Sequence, residues 1–116
     1  MKMKWRANKN SNFQEICHIS KRDGSEYAGP LEGNKPHGFG ILRIPSGKEY
    51  RCEWQNGEIQ GIGSIFYPDG REFIGEFEAG KKSGLGRIAI GSKVYKGEFN
   101  ENQRTGLGEL IEFDTF

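Results

Sequence analysis

From residue 50 to residue 68 the chain reads YRCEWQNGEIQGIGSIFYP. Tyr50-Arg51-Cys52-Glu53-Trp54 alternates apolar with polar, the period of a half-buried β-strand. Gly61-Ile62-Gly63-Ser64-Ile65-Phe66-Tyr67 is rich in β-branched and aromatic residues, again strand composition. Nowhere along the chain is there a 3.6-residue apolar pattern or a capping box, so the pattern predicts no helices. Two strands joined by a tight turn make the unit a hairpin.

The unit recurs. Gly-x-Gly stands at Gly38-Phe39-Gly40, Gly61-Ile62-Gly63, Gly84-Leu85-Gly86 and Gly106-Leu107-Gly108, at separations of 23, 23 and 22 residues. Eleven residues before each triplet is an aromatic: Tyr27, Tyr50, Phe73 and Tyr95. Two residues after each aromatic comes Gly29, Cys52, Gly75 or Gly97, and two further on a large apolar residue, Leu31, Trp54, Phe77 or Phe99. Such periodicity is the signature of a repeat architecture. It divides the chain into a basic N-terminal arm at 1–12, a half-repeat at 13–26 with a strand near Phe13–Ile19, and four repeats at 27–49, 50–72, 73–94 and 95–116.

Turn chemistry fits this division. Seven residues after each aromatic come Asn34, Gly57, Gly80 and Asn102, the two residue types that accept a left-handed backbone most readily, so one turn geometry should recur there. Between repeats lie Pro45-Ser46-Gly47 and Pro68-Asp69-Gly70, proline presetting the first turn position. The third joint, at Gly91-Ser92, is one residue shorter and suits a two-residue type II′ loop. Losing a strand residue would flip all later side chains. The missing residue is therefore read as the unpaired one of the joint, so Tyr95 keeps its face.

Composition sharpens the picture. Glycine supplies 18 of the 116 residues, and only 34% of the chain is hydrophobic, too little for a thick two-layer core. If the aromatic face and the glycine face coincide, each ring lies over a neighbouring strand where no Cβ stands in its way. The Gly-x-Gly glycines are then ring seats. Phosphate cradles they are not: no helix follows, and Gly80-Lys81-Lys82-Ser83-Gly84 lacks the P-loop spacing.

Tyr95-Lys96-Gly97-Glu98-Phe99 and Phe73-Ile74-Gly75-Glu76-Phe77, each followed by Gly-x-Gly, resemble the MORN repeat (membrane occupation and recognition nexus). Tyr50-Arg51-Cys52-Glu53-Trp54 departs at Cys52, and Tyr27-Ala28-Gly29-Pro30-Leu31 at Pro30 and Leu31. His37 stands where the family often has histidine, whereas Gln60, Ser83 and Thr105 do not match. The resemblance covers residues 18–116. It implies an all-β fold, a single elongated, twisted antiparallel β-meander of about four and a half repeats with one two-stranded hairpin each. At ~4.8 Å per strand, nine strands would span about 40 Å.

Three regions are candidates for partner binding. The ring face offers Tyr27, Leu31, Tyr50, Trp54, Phe73, Phe77, Tyr95 and Phe99; these either pack on the glycines and one another or line a groove for a peptide or helix. The opposite face carries a stripe of Phe39, Ile62, Leu85 and Leu107, joined by Phe66, read either as scatter or as a second docking surface. The last strand, Glu109–Phe116, has no Pro or Lys to cap its edge and invites strand addition. At the other end, Lys2, Lys4, Trp5 and Arg6 form either a mobile tail or an arm that anchors to an acidic neighbour, tubulin or a lipid headgroup surface.

A formal charge of +1 argues against nucleic acid. Residues 1–26 hold six basic groups against three acidic, and the remainder eleven against thirteen. No apolar run reaches the ~20 residues of a membrane helix, although peripheral lipid contact stays open. Cys17 and Cys52 have no metal spacing and read as reduced thiols of a cytoplasmic protein. With His18 and His37 in different units, no catalytic, metal or cofactor site is expected. The family resemblance implies a noncatalytic structural or adaptor protein, a subunit of a cytoskeletal or ciliary assembly such as the radial spoke of an axoneme. Two alternatives remain: a membrane-associated scaffold binding acidic phospholipids, and an accessory subunit or regulatory fragment, since MORN repeats accompany some lipid kinases and a lysine methyltransferase.

Overall fold

The structure, a computed structural model, describes the backbone of Lys2–Trp5 and residues 16–113. It is an antiparallel meander. The strands are β1 (Lys2–Trp5), β2 (Ile16–Ser20), β3 (Glu26–Gly29), β4 (Leu31–Glu32), β5 (Lys35–Pro36) and β6 (Gly38–Arg43), followed by β7 (Glu49–Gln55), β8 (Glu58–Phe66), β9 (Glu72–Glu78), β10 (Lys81–Ile90), β11 (Lys93–Asn100) and β12 (Gln103–Glu112). Ten of them form one sheet in the order β1-β2-β3-β6-β7-β8-β9-β10-β11-β12, while β4 and β5 pair separately at the tip of the first hairpin. That tip is detached because Pro30, where the other repeats have Glu, brings no backbone N–H to the ladder. The sheet is 47 Å along its longest axis and 33 × 30 Å across.

Both kinds of turn follow the sequence. Asn34, Gly57, Gly80 and Asn102 all have positive φ (65°, 85°, 80° and 70°), and so do the residues before them, Gly33, Asn56, Ala79 and Glu101. Two successive positive φ values are the mark of a type I′ hairpin turn, whose twist matches that of the strands. At the joints, Ile44 and Tyr67 hydrogen-bond to Lys48 and Arg71 around three-residue loops. Ile90 instead pairs directly with Lys93 around Gly91-Ser92. The shortened spacing thus falls in the loop, and Tyr95 lies opposite Ile88, which lies opposite Phe73 on the same face.

Successive type I′ turns are also tied together. The amides of Gly57, Gly80 and Asn102 donate to the carbonyls of Pro36, Ile59 and Lys82, each one hairpin back. Asn102 Oδ1 accepts from the Lys82 amide at 2.9 Å, and Gln60 Oε1 from the Ala79 amide at 3.1 Å.

One expectation is replaced at the N-terminus. Composition places Lys2–Trp5 in an arm without strand pattern, yet its backbone is a strand pairing with Ile16–Ser20, Lys2 opposite Ile19 and Trp5 opposite Ile16. The ladder of β2 is a template that the backbone can extend whatever the side chains, so composition does not reveal it. Arg6 and Phe13, and the last residues 114–116 of the expected final strand, lie outside the described residues.

Candidate docking surfaces

The register brings the ring face and the glycine face together: Cys52 opposes Gly63, Gly75 opposes both Gly63 and Gly86, and Gly97 opposes Gly86 and Gly108. A Cβ added at Gly86 would stand 2.6 Å from Phe73 Cε1 and 2.9 Å from Phe99 Cδ1, closer than any side chain can sit. Likewise, Gly40 and Gly29 lie under Tyr27, Gly75 under Phe73, and Gly97 and Gly108 under Tyr95. Each of these rings covers the glycine two residues on in its own strand and the second triplet glycine of the next.

Two details differ from the expectation. First, only the second glycine of each triplet is a seat. The first shapes the backbone instead. At Gly84 φ is +74° and the ladder slips between Lys82 and Gly86, a β-bulge. Second, Tyr50 is not seated like the others. Where they have glycine its own strand has Cys52, and the atoms nearest the missing Cβ of Gly63 are those of Cys52, with Sγ at 2.6 Å. Tyr50 is only half-buried, with Lys48 Nζ 5.0 Å from its ring centroid.

The eight ring-face residues do come together, chiefly as a core. Tyr27, Trp54, Phe73, Phe77 and Phe99 are buried, while Leu31, Tyr50 and Tyr95 pack against them half-exposed. Edge-to-face contacts run through the set: Tyr27–Trp54 at 5.8 Å, Phe73–Phe77 at 5.4 Å, Phe73–Phe99 at 5.3 Å and Tyr95–Phe99 at 6.2 Å. Such pairs add about 0.5–1.5 kcal/mol each beyond the area they bury. Trp54 Nε1 donates to the Gly40 carbonyl at 3.2 Å, and the Tyr27 hydroxyl to that of Pro30 at 2.9 Å. Burial pushes the Tyr27 phenol up to about 12 and the Cys52 thiol up to about 11. Cys17 and Cys52 are free thiols, both buried.

The opposite face is open. Phe39, Ile62, Leu85 and Leu107 are 54%, 69%, 65% and 95% exposed, one per repeat. Glu53 lies opposite Phe39, Glu76 opposite Ile62 and Glu98 opposite Leu85, so a row across the sheet reads apolar, acidic, apolar, acidic. Away from this row the outer face is not uniformly wet: Val94, flanked by Ala89 and Ile111 on the adjacent strands, is buried. Four strands away, Glu49 accepts from both Arg43 and Arg51 at 2.6 Å, and these hydrogen bonds hold its carboxyl below the usual range.

The family model described as MORN repeat matches four consecutive segments, residues 27–49, 50–70, 73–89 and 95–111, more than half of the chain. The chain belongs to the MORN-repeat family. A comparison with curated proteins finds no match. MORN repeats are generally structural and binding units, engaging proteins or membranes.

Within the MORN repeat, one residue has a role that alternation does not reveal. Glu76 reaches over the bulge of the next strand, and its Oε2 accepts from the Leu85 amide at 2.7 Å. The carboxylate lies against Gly84, where an added Cβ would be 2.7 Å from Oε2; at Gly106 the corresponding distance to Glu98 Oε2 is 2.9 Å. Glu76 thus satisfies a backbone donor that the bulge frees from the ladder. The recurrence of glutamate after the glycine of both Gly-Glu-Phe motifs is the available signal. Among the described residues, no three of His, Cys, Asp and Glu converge as a metal site, and no helix is long and apolar enough to cross a membrane.

Proposed function

We propose that this chain is a noncatalytic adaptor, held by a larger protein through the outer face of its sheet. The observation that carries the reading is the exposed row Phe39, Ile62, Leu85 and Leu107, with Glu53, Glu76 and Glu98 between. Apolar positions recur every second strand, about 9.6 Å apart, close to the ~10.5 Å rise of seven helical residues. The fitting partner is an amphipathic helix laid across the strands, with an apolar residue every seventh position and basic residues to meet the glutamates. The ring face, expected either to pack on itself or to line a groove, contributes mainly the rigidity behind this surface. Leu31, Tyr50 and Tyr95 leave its rim accessible to the same partner.

We extend the reading, on family resemblance alone, to a subunit of a cytoskeletal or ciliary assembly of the radial-spoke kind. Acidic lipid is the weaker reading, because the exposed row is acidic and, although Arg87 and Lys96 also stand on the outer face, Arg43 and Arg51 there are engaged by Glu49. The alternative of an accessory or regulatory piece of an enzyme is compatible with the same surface. The test compares affinity capture by the chain with that by a variant carrying serine at all four row positions. A partner that cross-links to the row through a helix, and is lost with the variant while circular dichroism is unchanged, supports the proposal. Retention of every partner, or salt-dependent sedimentation with acidic vesicles in place of protein capture, overturns it.

A further inference from the structure

The interior strands specify what the last one lacks. Strands β6, β8 and β10 each present a straight edge to the strand that follows: Gly38–Arg43 against Trp54–Glu49, Gly61–Phe66 against Phe77–Glu72, Gly84–Ile90 against Phe99–Lys93. The bulge disturbs only the pairing with the preceding strand. Opposite the first triplet glycine always stands a buried ring, Trp54, Phe77 or Phe99. Opposite the second stands Cys52, Gly75 or Gly97, and opposite the apolar residue two further on stands Tyr50, Phe73 or Tyr95. Opposite the exposed middle residue of the triplet is always glutamate.

Strand β12 repeats this edge as Gly106-Leu107-Gly108-Glu109-Leu110, but among the described residues it is paired on one side only. The consequence is visible in exposure. Ile65, which Phe73 covers, is buried, whereas its counterpart Leu110 is 68% exposed. The seat at Gly108 is filled from its own repeat by Tyr95, but Gly106 has no residue of a following strand opposite it among the described residues, where Gly61 and Gly84 have Phe77 and Phe99.

We infer that the free edge of β12 takes up an extended segment from outside residues 1–116, antiparallel, with the pattern aromatic-x-small-Glu-aromatic. Its second ring sits opposite Gly106, its glutamate opposite Leu107, its small residue opposite Gly108, and its first ring over Leu110. Backbone hydrogen bonds supply adhesion, while the two rings set register and choice of partner. A second copy does not supply this segment: β7, β9 and β11, which carry the pattern, are paired on both sides, and β3, paired likewise, leads into Pro30-Leu31 in place of glutamate and a ring. The inference deepens the adaptor reading but uses a different surface, so loss of helix capture and loss of strand uptake are separable results.

The test uses the full chain and a labelled synthetic peptide of the sequence KVYKGEFN, titrated by fluorescence anisotropy. Saturable binding is expected, weakened about tenfold when either peptide ring is alanine, since each ring contributes a burial of that order. Amide exchange should slow along β12 and nowhere else. On the protein side, Gly108→Val should abolish uptake. Because that variant also crowds Tyr95, the peptide substitutions, which leave the protein untouched, carry the decision. No binding at millimolar peptide, equal binding of the ring-free peptide, slowed exchange elsewhere than β12, or a dimer of the chain joined through β12 would each overturn the inference.

Discussion

The two faces of this sheet both carry rows of apolar residues, and the rows have opposite fates. On the inner face Phe73 is fully buried, although it lies on a single layer of backbone and the only other sheet among the described residues is the two-stranded β4-β5 tip. On the outer face Leu85, one residue from the Gly86 on which Phe73 rests, is 65% exposed. The difference lies in the neighbours. Inner rings lie flat over positions stripped of Cβ and meet each other edge to face, so a single open layer buries its own rings. Outer side chains stand beside glutamates, of which Glu76 also serves the backbone, and nothing among the described residues folds over them. A one-layer sheet can therefore be stable on one side and available on the other.

The largest way to break this contrast is to remove a ring. Phe73→Ala should cost about 3–5 kcal/mol, the usual loss for a buried aromatic, read as a fall in the denaturation midpoint. Alkali attacks the same face more gently. The Tyr27 phenol is pushed up to about 12 by burial, against an ordinary value of 10.0. The folded state thus prefers the neutral phenol. Its contribution is complete below pH 10 and is lost as pH rises towards 12, at most about 3 kcal/mol. Tyr27→Phe should flatten the stability profile across that window, and an unchanged slope would show that another group governs it.

A smaller effect is expected at the turns that hold both faces in register. Asn102→Val places a β-branched residue at a φ of 70° and removes the oxygen that receives the Lys82 amide. A loss of about 1–3 kcal/mol follows, visible as a lower melting temperature. Smallest of all is Leu85→Ser on the outer face, expected within about 0.5 kcal/mol of the parent chain. A large loss there would mean that the outer row is packed rather than open.

Much of this architecture is legible in the residues alone. Strand type, hairpin register, the four recurrent turn positions and the loop that absorbs the 22-residue spacing all follow from residues whose spacing admits one geometry. The outer stripe of Phe39, Ile62, Leu85 and Leu107 is legible for the same reason, since alternation fixes the face. Burial is harder to read. Alternation says that Tyr50, Cys52 and Trp54 share a side, but it does not say that the rings of a single layer cover one another. Nor does it show that Cys52, by keeping a Cβ and sulfur over Gly63, leaves Tyr50 without a seat. The bulge at the first triplet glycine and the Glu76 carboxylate that caps it depend on a hydrogen bond between adjacent strands, which no period within one strand reports. Strand β1 escapes because pairing with an edge places few demands on composition.

That the rings require seats without side chains is tested most directly by the melting temperature of Gly86→Ala. Gly86 has none of the positive φ seen at the bulge and turn glycines, so alanine meets no backbone strain there. At such a strand position the substitution ordinarily stabilises, by about 0.4–1 kcal/mol, through the unfolded chain. Here the added methyl would meet Phe73 and Phe99, and a fall of several degrees is expected. A melting temperature equal to or above that of the parent chain would contradict the ring-seat claim.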